Sequence, residues 1–471
     1  MSKDQICDVR CCCRYLLTLT AITSLLLMMA CGGSSSSPVN PGQGNPPPRT
    51  SSAQIKIGDA PADRVLSFEV TVGPITMTPA SRSAVTVLSA TRRLEMAHLS
   101  GTNEPLALLG VAQGSYSSAS ITVSNPEITF INNVGAVVKL QPAFNQIISI
   151  SLSPALTVGS ASTVVDIDLN VANSLTFDAQ GNVTGVSLGA SSLAFASAPV
   201  AAEDKQGHDD GELEDTTGII TAVNGTAFTL SLDQGGTSLT FATDSNTQFN
   251  DGASLTVNTI VTVEGITKTD GSLYAKEVEG IEDTNGAESE GLITQVNGTQ
   301  ITFVDDHGLG SGVDDSKLGE TITADLSSAK FNVKKGDIDT SGIGGLPSSP
   351  DFPFDVTTIH AGQRVEVESV SPMDISKLSG DKVKLQQQAL VGTVSGLAGV
   401  TSAGPTNFTL TVASDSAFAL LSGKTQVNVF WQPGTDLHKL ASVSNGDNVR
   451  VRGLVLFTGT SFNMIARRID R

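Results

Sequence analysis

Acidic side chains are the first candidates for chemistry in this sequence, and one stretch gathers them around glycines. Asp305-Asp306-His307-Gly308-Leu309-Gly310-Ser311-Gly312-Val313-Asp314-Asp315 sets four carboxylates about a glycine-rich run. Hard cations such as Ca²⁺ take about six to eight oxygens from flexible loops of this type, so Asp305, Asp306, Asp314 and Asp315 are the candidate calcium ligands. The spacing is not that of an EF-hand and no bidentate Glu closes it, and a solvated loop accounts for the same residues. No other cofactor is indicated. Asp166 and Asp168 share one face of a strand, and Asp59 and Asp63 flank a turn, so both pairs have the composition for general acid–base work. That chemistry needs a buried neighbour to shift a carboxyl pKa, which nothing in the sequence indicates, and a solvent-facing strand and a turn are the expected roles. There is no G-x-S-x-G, no H-E-x-x-H and no glycine-rich phosphate loop, and His98, His208, His307, His360 and His438 are scattered without ligand spacing. No catalytic residue is assigned.

The cysteines tell where the chain is expected to reside. Cys7, Cys11, Cys12, Cys13 and Cys31 all lie at the front, and adjacent thiols lack the usual spacing of metal ligands. Lys3, Arg10 and Arg14 precede a continuous apolar run, Tyr15 to Ala30. As a helix that run is too short for the ~30 Å hydrocarbon core, so it reads as a signal-peptide core. Its end, Met28-Met29-Ala30-Cys31-Gly32, resembles the bacterial lipoprotein signal. The resemblance implies cleavage before Cys31 and attachment of lipid to its thiol. Residues 1–30 are then the leader, and residues 31–53, rich in Ser, Gly and Pro, are a flexible tether. The expected address is the cell envelope, on the periplasmic or surface face of the outer membrane, with the N-terminal lipid as the membrane contact. The retained chain has no possible internal disulfide and must rely on its cores.

Composition narrows the function classes. The hydrophobic share of 39% suffices for packed cores, and the formal charge of −19 argues against nucleic acid and anionic lipid surfaces. Only 16% of residues are charged, so Ser, Thr, Asn and Gly must supply much of the polar surface, a composition suited to β-structure with many turns.

Residues 54–202 alternate at period two. Phe68, Val70 and Val72 interleave with Glu69 and Thr71, Ile148, Ile150 and Leu152 with Ser149 and Ser151, and Val165, Ile167 and Leu169 with Asp166 and Asp168. Half-buried antiparallel strands and a β-sandwich follow from this pattern, with one hint of helical spacing between Leu94 and Leu109. Gly58-Asp59-Ala60-Pro61-Ala62, the Leu-rich middle, Gln113-Gly114-Ser115-Tyr116 and the Asp-rich strand resemble the domain of unknown function numbered 4382, found in bacterial envelope lipoproteins. The resemblance implies a prealbumin-like sandwich without an established catalytic role.

An acidic linker is expected at residues 203–215, exposed and open to protease, and after it the chain repeats. Gly218-Ile219-Ile220-Thr221-Ala222-Val223-Asn224-Gly225-Thr226 returns as Gly291-Leu292-Ile293-Thr294-Gln295-Val296-Asn297-Gly298-Thr299, and a degenerate third copy opens at Gly392-Thr393-Val394. Asn-Gly marks a tight hairpin, and the short strands that follow are the makings of a small antiparallel barrel. The pattern is similar to the domain of unknown function numbered 5666, which implies OB-like barrels. The predicted architecture is thus all-β, a sandwich (54–202) followed by three barrels at 216–283, 286–389 and 390–471, the second carrying an insertion from Gly308 to Pro353. OB-like barrels often bind single strands through basic grooves and aromatic platforms, but aromatics are only 4% here and the first copy is acidic, so nucleic acid is not an expected partner.

The functional expectation is a non-catalytic envelope lipoprotein that presents β-modules for binding or structural support, with a protein or glycan as ligand; the alternative is a carbohydrate-active enzyme with its site on sandwich loops. Replacing Cys31 with Ala should abolish incorporation of a palmitate analogue in cells, and persistent labelling would refute the lipid assignment.

Overall fold

The computed structural model describes residues 49–60, 63–100, 103–200, 212–232, 238–280, 287–309, 318–334, 338, 354–369, 376–397, 406–432, 434–437 and 440–471; Cys31, His208, Asp314, Asp315 and His438 lie outside them. These residues are almost entirely β, as the period-two patterning predicts. No described helix is long and apolar enough to cross a membrane.

The N-terminal module is a sandwich of two sheets. One orders Leu193–Pro199, Thr163–Asn170, Thr50–Ala60 and Asn103–Ala112; the other is built on Val65–Pro79 and Gly114–Ile131. Ile55 and Ile57 of the first sheet and Phe68, Val70 and Ile121 of the second are fully buried in one core, the burial expected where alternate side chains of two sheets interdigitate. The first sheet is mixed, because Thr50–Ala60 runs parallel to Thr163–Asn170. The hint of helix between Leu94 and Leu109 is not realised. Arg92–Glu95 and Asn103–Ala112 are strands there, each paired to a long neighbour, so tertiary pairing overrides a weak local periodicity.

Each repeat begins with the same device. Gly218, Gly291 and Gly392 lie where two strands approach so closely that a Cβ would sit 2.2 Å from Ser231 O, 1.8 Å from Val304 O and 2.5 Å from Thr411 O, respectively. The first two copies then turn through two-residue loops in which Gly225 (φ +66°) and Gly298 (φ +64°) occupy the left-handed region that their hairpins require. In the first repeat, Ala227–Leu232 pairs with Ser238–Ala242, which also pairs with Leu273–Gly280 and brings the two sides of the sheet together. The second repeat forms a seven-stranded sheet. Its strands Thr321–Asp325 and Lys330–Val333 fall within the stretch read as an insertion from sequence, and Thr321–Asp325 pairs with Gln300–Leu309 as Ser238–Ala242 pairs with Ala227–Leu232. That stretch therefore contributes to the frame. The third repeat closes fully, in the order Gln387–Ser395, Thr406–Val412, Gln426–Trp431, Phe462–Asp470, Asn448–Phe457 and back to the first. A short helix, Ala417–Ser422, lies between Thr406–Val412 and Gln426–Trp431 and packs Phe418 and Ala419 into the barrel's core; Ser416 Oγ accepts from Ala419 N at its start and Gly423 (φ +69°) ends it.

Residues Pro48–Arg471 form one compact unit, and polar contacts tie each module to its neighbours. Thr267 Oγ1 donates to Gln54 Oε1 (2.5 Å) between first barrel and sandwich, Thr129 Oγ1 to Gly319 O (2.7 Å) between sandwich and second repeat, and Gln363 Nε2 to Val455 O (2.9 Å) between second and third repeats. Residues 203–211 of the expected linker lie outside the described residues, and strand Glu212–Asn224 takes up the remainder.

Gly291→Ala should destabilise the chain by about 1–3 kcal/mol, because the facing Val304 carbonyl is backbone and must shift. Urea unfolding checks this; an unchanged midpoint would show that the strands relax without cost.

Candidate functional site

Asp305 and Asp306 are not loop residues. They lie in strand Gln300–Leu309, 1% and 3% exposed, in the face that the second repeat turns to the sandwich. Ser289 Oγ donates to Asp305 Oδ1 at 2.9 Å, and Arg364 Nη2 donates to Asp306 Oδ1 at 2.8 Å while its Nε donates to Glu290 at 2.7 Å. Burial pushes the Asp305 carboxyl up to about 7 against the Ser289 hydrogen bond, and it pushes Asp306 well above its usual range against the attraction of Arg364. On the sandwich side, burial likewise raises Glu69 to about 7, opposed by Arg93. Burial also disfavours the charge of Glu95, yet hydrogen bonds from the His98 ring and from the backbone of His98 and Phe68 hold its carboxyl below the usual range. The His98 and His307 rings meet edge to face, 5.3 Å between centroids, across the junction. The described half of the calcium set is therefore engaged with protein donors. Its other half, Asp314 and Asp315, lies outside the described residues.

A second acidic group joins the first and second repeats. Carboxylate oxygens of Glu288, Glu366 and Glu368 lie within 4.8 Å of one another, close enough in principle for one cation. The cation already present is an ammonium: Lys384 Nζ lies 2.8 Å from Glu366, 2.8 Å from Glu368, 2.7 Å from Glu279 and 2.7 Å from Asp251. This is an ionic clamp between barrels. Lys334 adds a 2.7 Å contact to Glu279, and Lys382 one of 2.8 Å to Asp251.

Asp166 and Asp168 stay on one face of their strand: Asp166 lies 3.7 Å from the buried ammonium of Lys56, and burial raises the Asp168 carboxyl against the pull of Arg450, with the Asp166 charge adding to the rise. Asp63 enters a concavity. It lines a groove of about 380 Å³ between sandwich loops and the third barrel, together with Arg64, Asn133, Phe177, Asp178 and Asp415. Arg64 Nη2 donates to Asp415 Oδ2 at 2.9 Å, and the Nη1 of Arg64 is buried with no hydrogen-bond partner. Gly181 makes this possible, since a Cβ there would lie 2.1 Å from that Nη1. The hairpin around it is shaped by Asp178, whose Oδ1 accepts from Gln180 N (2.9 Å) and Asn182 N (2.8 Å). Hydrogen bonds from Asn182 hold the Asp178 carboxyl below the usual range. Burial, then the Asp415 charge, raises Asp63. One groove thus holds a carboxyl shifted upward and another shifted downward, beside an exposed face of Phe177. Arg64, Phe177 and Asp415 carried no signal in sequence; only the turn Gln180-Gly181-Asn182 and the position of Asp63 were visible.

Residues 217–279 match the family described as Domain of unknown function (DUF5666), which agrees with the reading of the first barrel. No curated protein matches the chain. Among solved structures it is similar to one titled "drosophila Unr CSD456", at 12% identity over 54% of this chain and 96% of that one, with a TM-score of 0.13. A likeness at that score carries no weight for fold or function.

The buried carboxyls make stability depend on pH. Asp305 titrates from 3.8 in the open chain to about 7 when folded, so between these values the folded state binds the extra proton and stability falls as pH rises. Asp305→Asn keeps an acceptor for Ser289 but cannot ionise. Its stability should therefore decline less than the parent's between pH 4 and pH 7, by on the order of 3 kcal/mol. Parallel urea-derived pH profiles would refute the assignment.

Proposed function

We propose that this chain is a lipid-anchored envelope protein, held at Cys31, which presents its β-modules as one binding body without catalysis. The N-terminal module is taken as a sandwich of the 4382-like class, and the repeats as successive barrels of the 5666-like class. The observation that carries the binding reading is the groove at Asp63, Arg64, Asn133, Phe177 and Asp415. Its polar groups offer both donors and acceptors, and its ring offers an apolar face. That combination suits a hydroxyl-rich ligand, whose OH groups pair with the polar atoms while its C–H face lies on the ring. A glycan of the envelope is the ligand class this supports.

One observation favours the enzymatic alternative. Asp63, its carboxyl raised by burial, shares the groove with two further carboxylates, and a carboxyl pair is the inventory of a glycosidase. Against it, Asp178 is committed to its own hairpin and Asp415 to Arg64.

The experiment uses the full chain in detergent with a panel of immobilised envelope glycans. Arg64→Gln should weaken retention at least tenfold, since it removes the groove's cationic donor, and the bound glycan should be recovered intact. Failure to retain any glycan would overturn the binding reading; cleavage that is lost in Asp63→Asn would replace it with the enzymatic one.

A further inference from the structure

The edge of a β-sheet leaves a row of main-chain donors and acceptors that only another strand satisfies in register, and proteins blunt such edges by closure, brevity, charge or cover. Most edges among the described residues are treated in one of these ways. The third barrel closes on itself, and Ser238–Ala242 joins the two sides of the first. The sheet of the second repeat ends on Lys330–Val333 and Lys377–Ser379, both short and both bearing lysine. In the sandwich, Asn103–Ala112 is covered by the first barrel, against whose core Leu108 packs. Leu193–Pro199 is held through Ser197 Oγ, which donates to Thr157 O and accepts from Thr157 N, each at 3.3 Å. Val85–Leu88, Arg92–Glu95 and Val137–Leu140 have only four residues each.

Strand Asn145–Val158 is different. It pairs with Gly114–Ile131 along one side, and among the described residues no strand pairs with its other side. Pairing is regular from Asn145 to Ser151, and an irregular stretch containing Pro154 follows. No side chain of the strand is charged, and neither are its neighbours on the solvent face, Ser118, Ser120, Thr122 and Ser124. Ile147 stands on that face 72% exposed, while Ile148 and Ile150 are buried on the other face, at the margin of the core.

Two features specify the strand that fits this edge. A formal charge of −19 sets copies of the chain against one another over most of their surface, so they approach closely only where charge is absent. The alternation is also symmetric about Ser149. Directly opposed residues of an antiparallel pair point to the same side of the sheet, so a two-fold axis at Ser149 sets Ile148 of each copy against Ile150 of the other on the core face. Ser149 then lies opposite itself on the solvent face.

We propose that Asn145–Ser151 is a self-association edge, pairing antiparallel with the same strand of a second copy about Ser149 and joining the two sandwiches through one continuous sheet. The contact is isologous and consumes the edge on both copies, so assembly ends at two.

Sedimentation velocity of the full chain in detergent, at micromolar concentrations and with reductant to exclude disulfides, tests this. A reversible monomer–dimer equilibrium without larger species is expected. Ser149→Asp and Ser149→Lys each place like charges directly opposite one another and should each weaken dimerisation at least tenfold. Mixed in equal amounts, the two variants should dimerise again, because Asp then faces Lys; misfolded chains would not recover in this way. Thr86→Asp, an exposed position on Val85–Leu88 toward the other side of the same sheet, should leave the dimer unchanged. A parent that stays monomeric, a dimer that persists in Ser149→Asp, a mixture that fails to recover, a dimer equally lost in Thr86→Asp, or open-ended oligomers would each overturn the proposal.

Discussion

Arg364 is buried at the seam of three modules, and much of the body's organisation depends on how it is satisfied. Its side chain bonds Glu290 and Asp306 of its own repeat, and its backbone N–H donates to Gln388 Oε1 in the third barrel (2.8 Å). Gln388 returns a bond from Nε2 to Gly362 O at 3.0 Å, so the two repeats are joined by a reciprocal pair. Removing one partner of such a buried pair typically costs ~3–5 kcal/mol, because the other is left unpaired, while an apolar replacement of the whole set can be neutral. The value of the arrangement thus lies less in net stability than in specifying one mutual orientation of the modules.

The same logic distinguishes the clamp around Lys384 from a metal site. Five carboxylates within reach of one ammonium would repel one another strongly if it were absent, and burial adds to that repulsion. Burial raises Glu288 to about 8 and pushes Glu366 well above its usual range. Lys384 is correspondingly raised by Glu366, Glu279, Glu288 and Glu368 despite its own desolvation. A divalent ion at this position would have to displace a lysine whose charge is already matched to its surroundings.

Period-two alternation was enough to read the fold class, and the glycines at 218, 291 and 392 marked the repeats because the backbone approach at each leaves no room for a Cβ. Alternation reports that one face of a strand is polar; it does not report what covers that face. Glu69 and Asp305 look like solvent positions in sequence, yet they are 4% and 1% exposed because the second repeat packs its polar face on the sandwich's. The candidate calcium residues divided for the same reason. A run of acids and glycines reads as a loop, but Asp305 and Asp306 continue a strand whose pairing with Ala287–Asn297 extends to Leu309. The groove was less legible still, since Arg64, Asn133, Phe177 and Asp415 come from four separated turns and strands and share no spacing.

One backbone bond connects the groove with an inner cavity of about 110 Å³, where sandwich, second repeat and third barrel meet. Ala417 N donates to Asp63 O at 2.5 Å, so the turn that carries Asp63 and Arg64 is fastened to the start of the helix that walls the inner cavity. Arg64 then reaches outward to Asp415, in the turn just before that helix, while Asp63 faces both spaces. Any movement of Ala417–Ser422 that adjusts the cavity must therefore also displace the carbonyl of Asp63 and, through it, the floor of the groove. Coupling between sites requires an element that both contact, and this short capped helix with its bonded turn is such an element. The groove and the cavity are thus mechanically one assembly, formed only where the sandwich and the third barrel are held together.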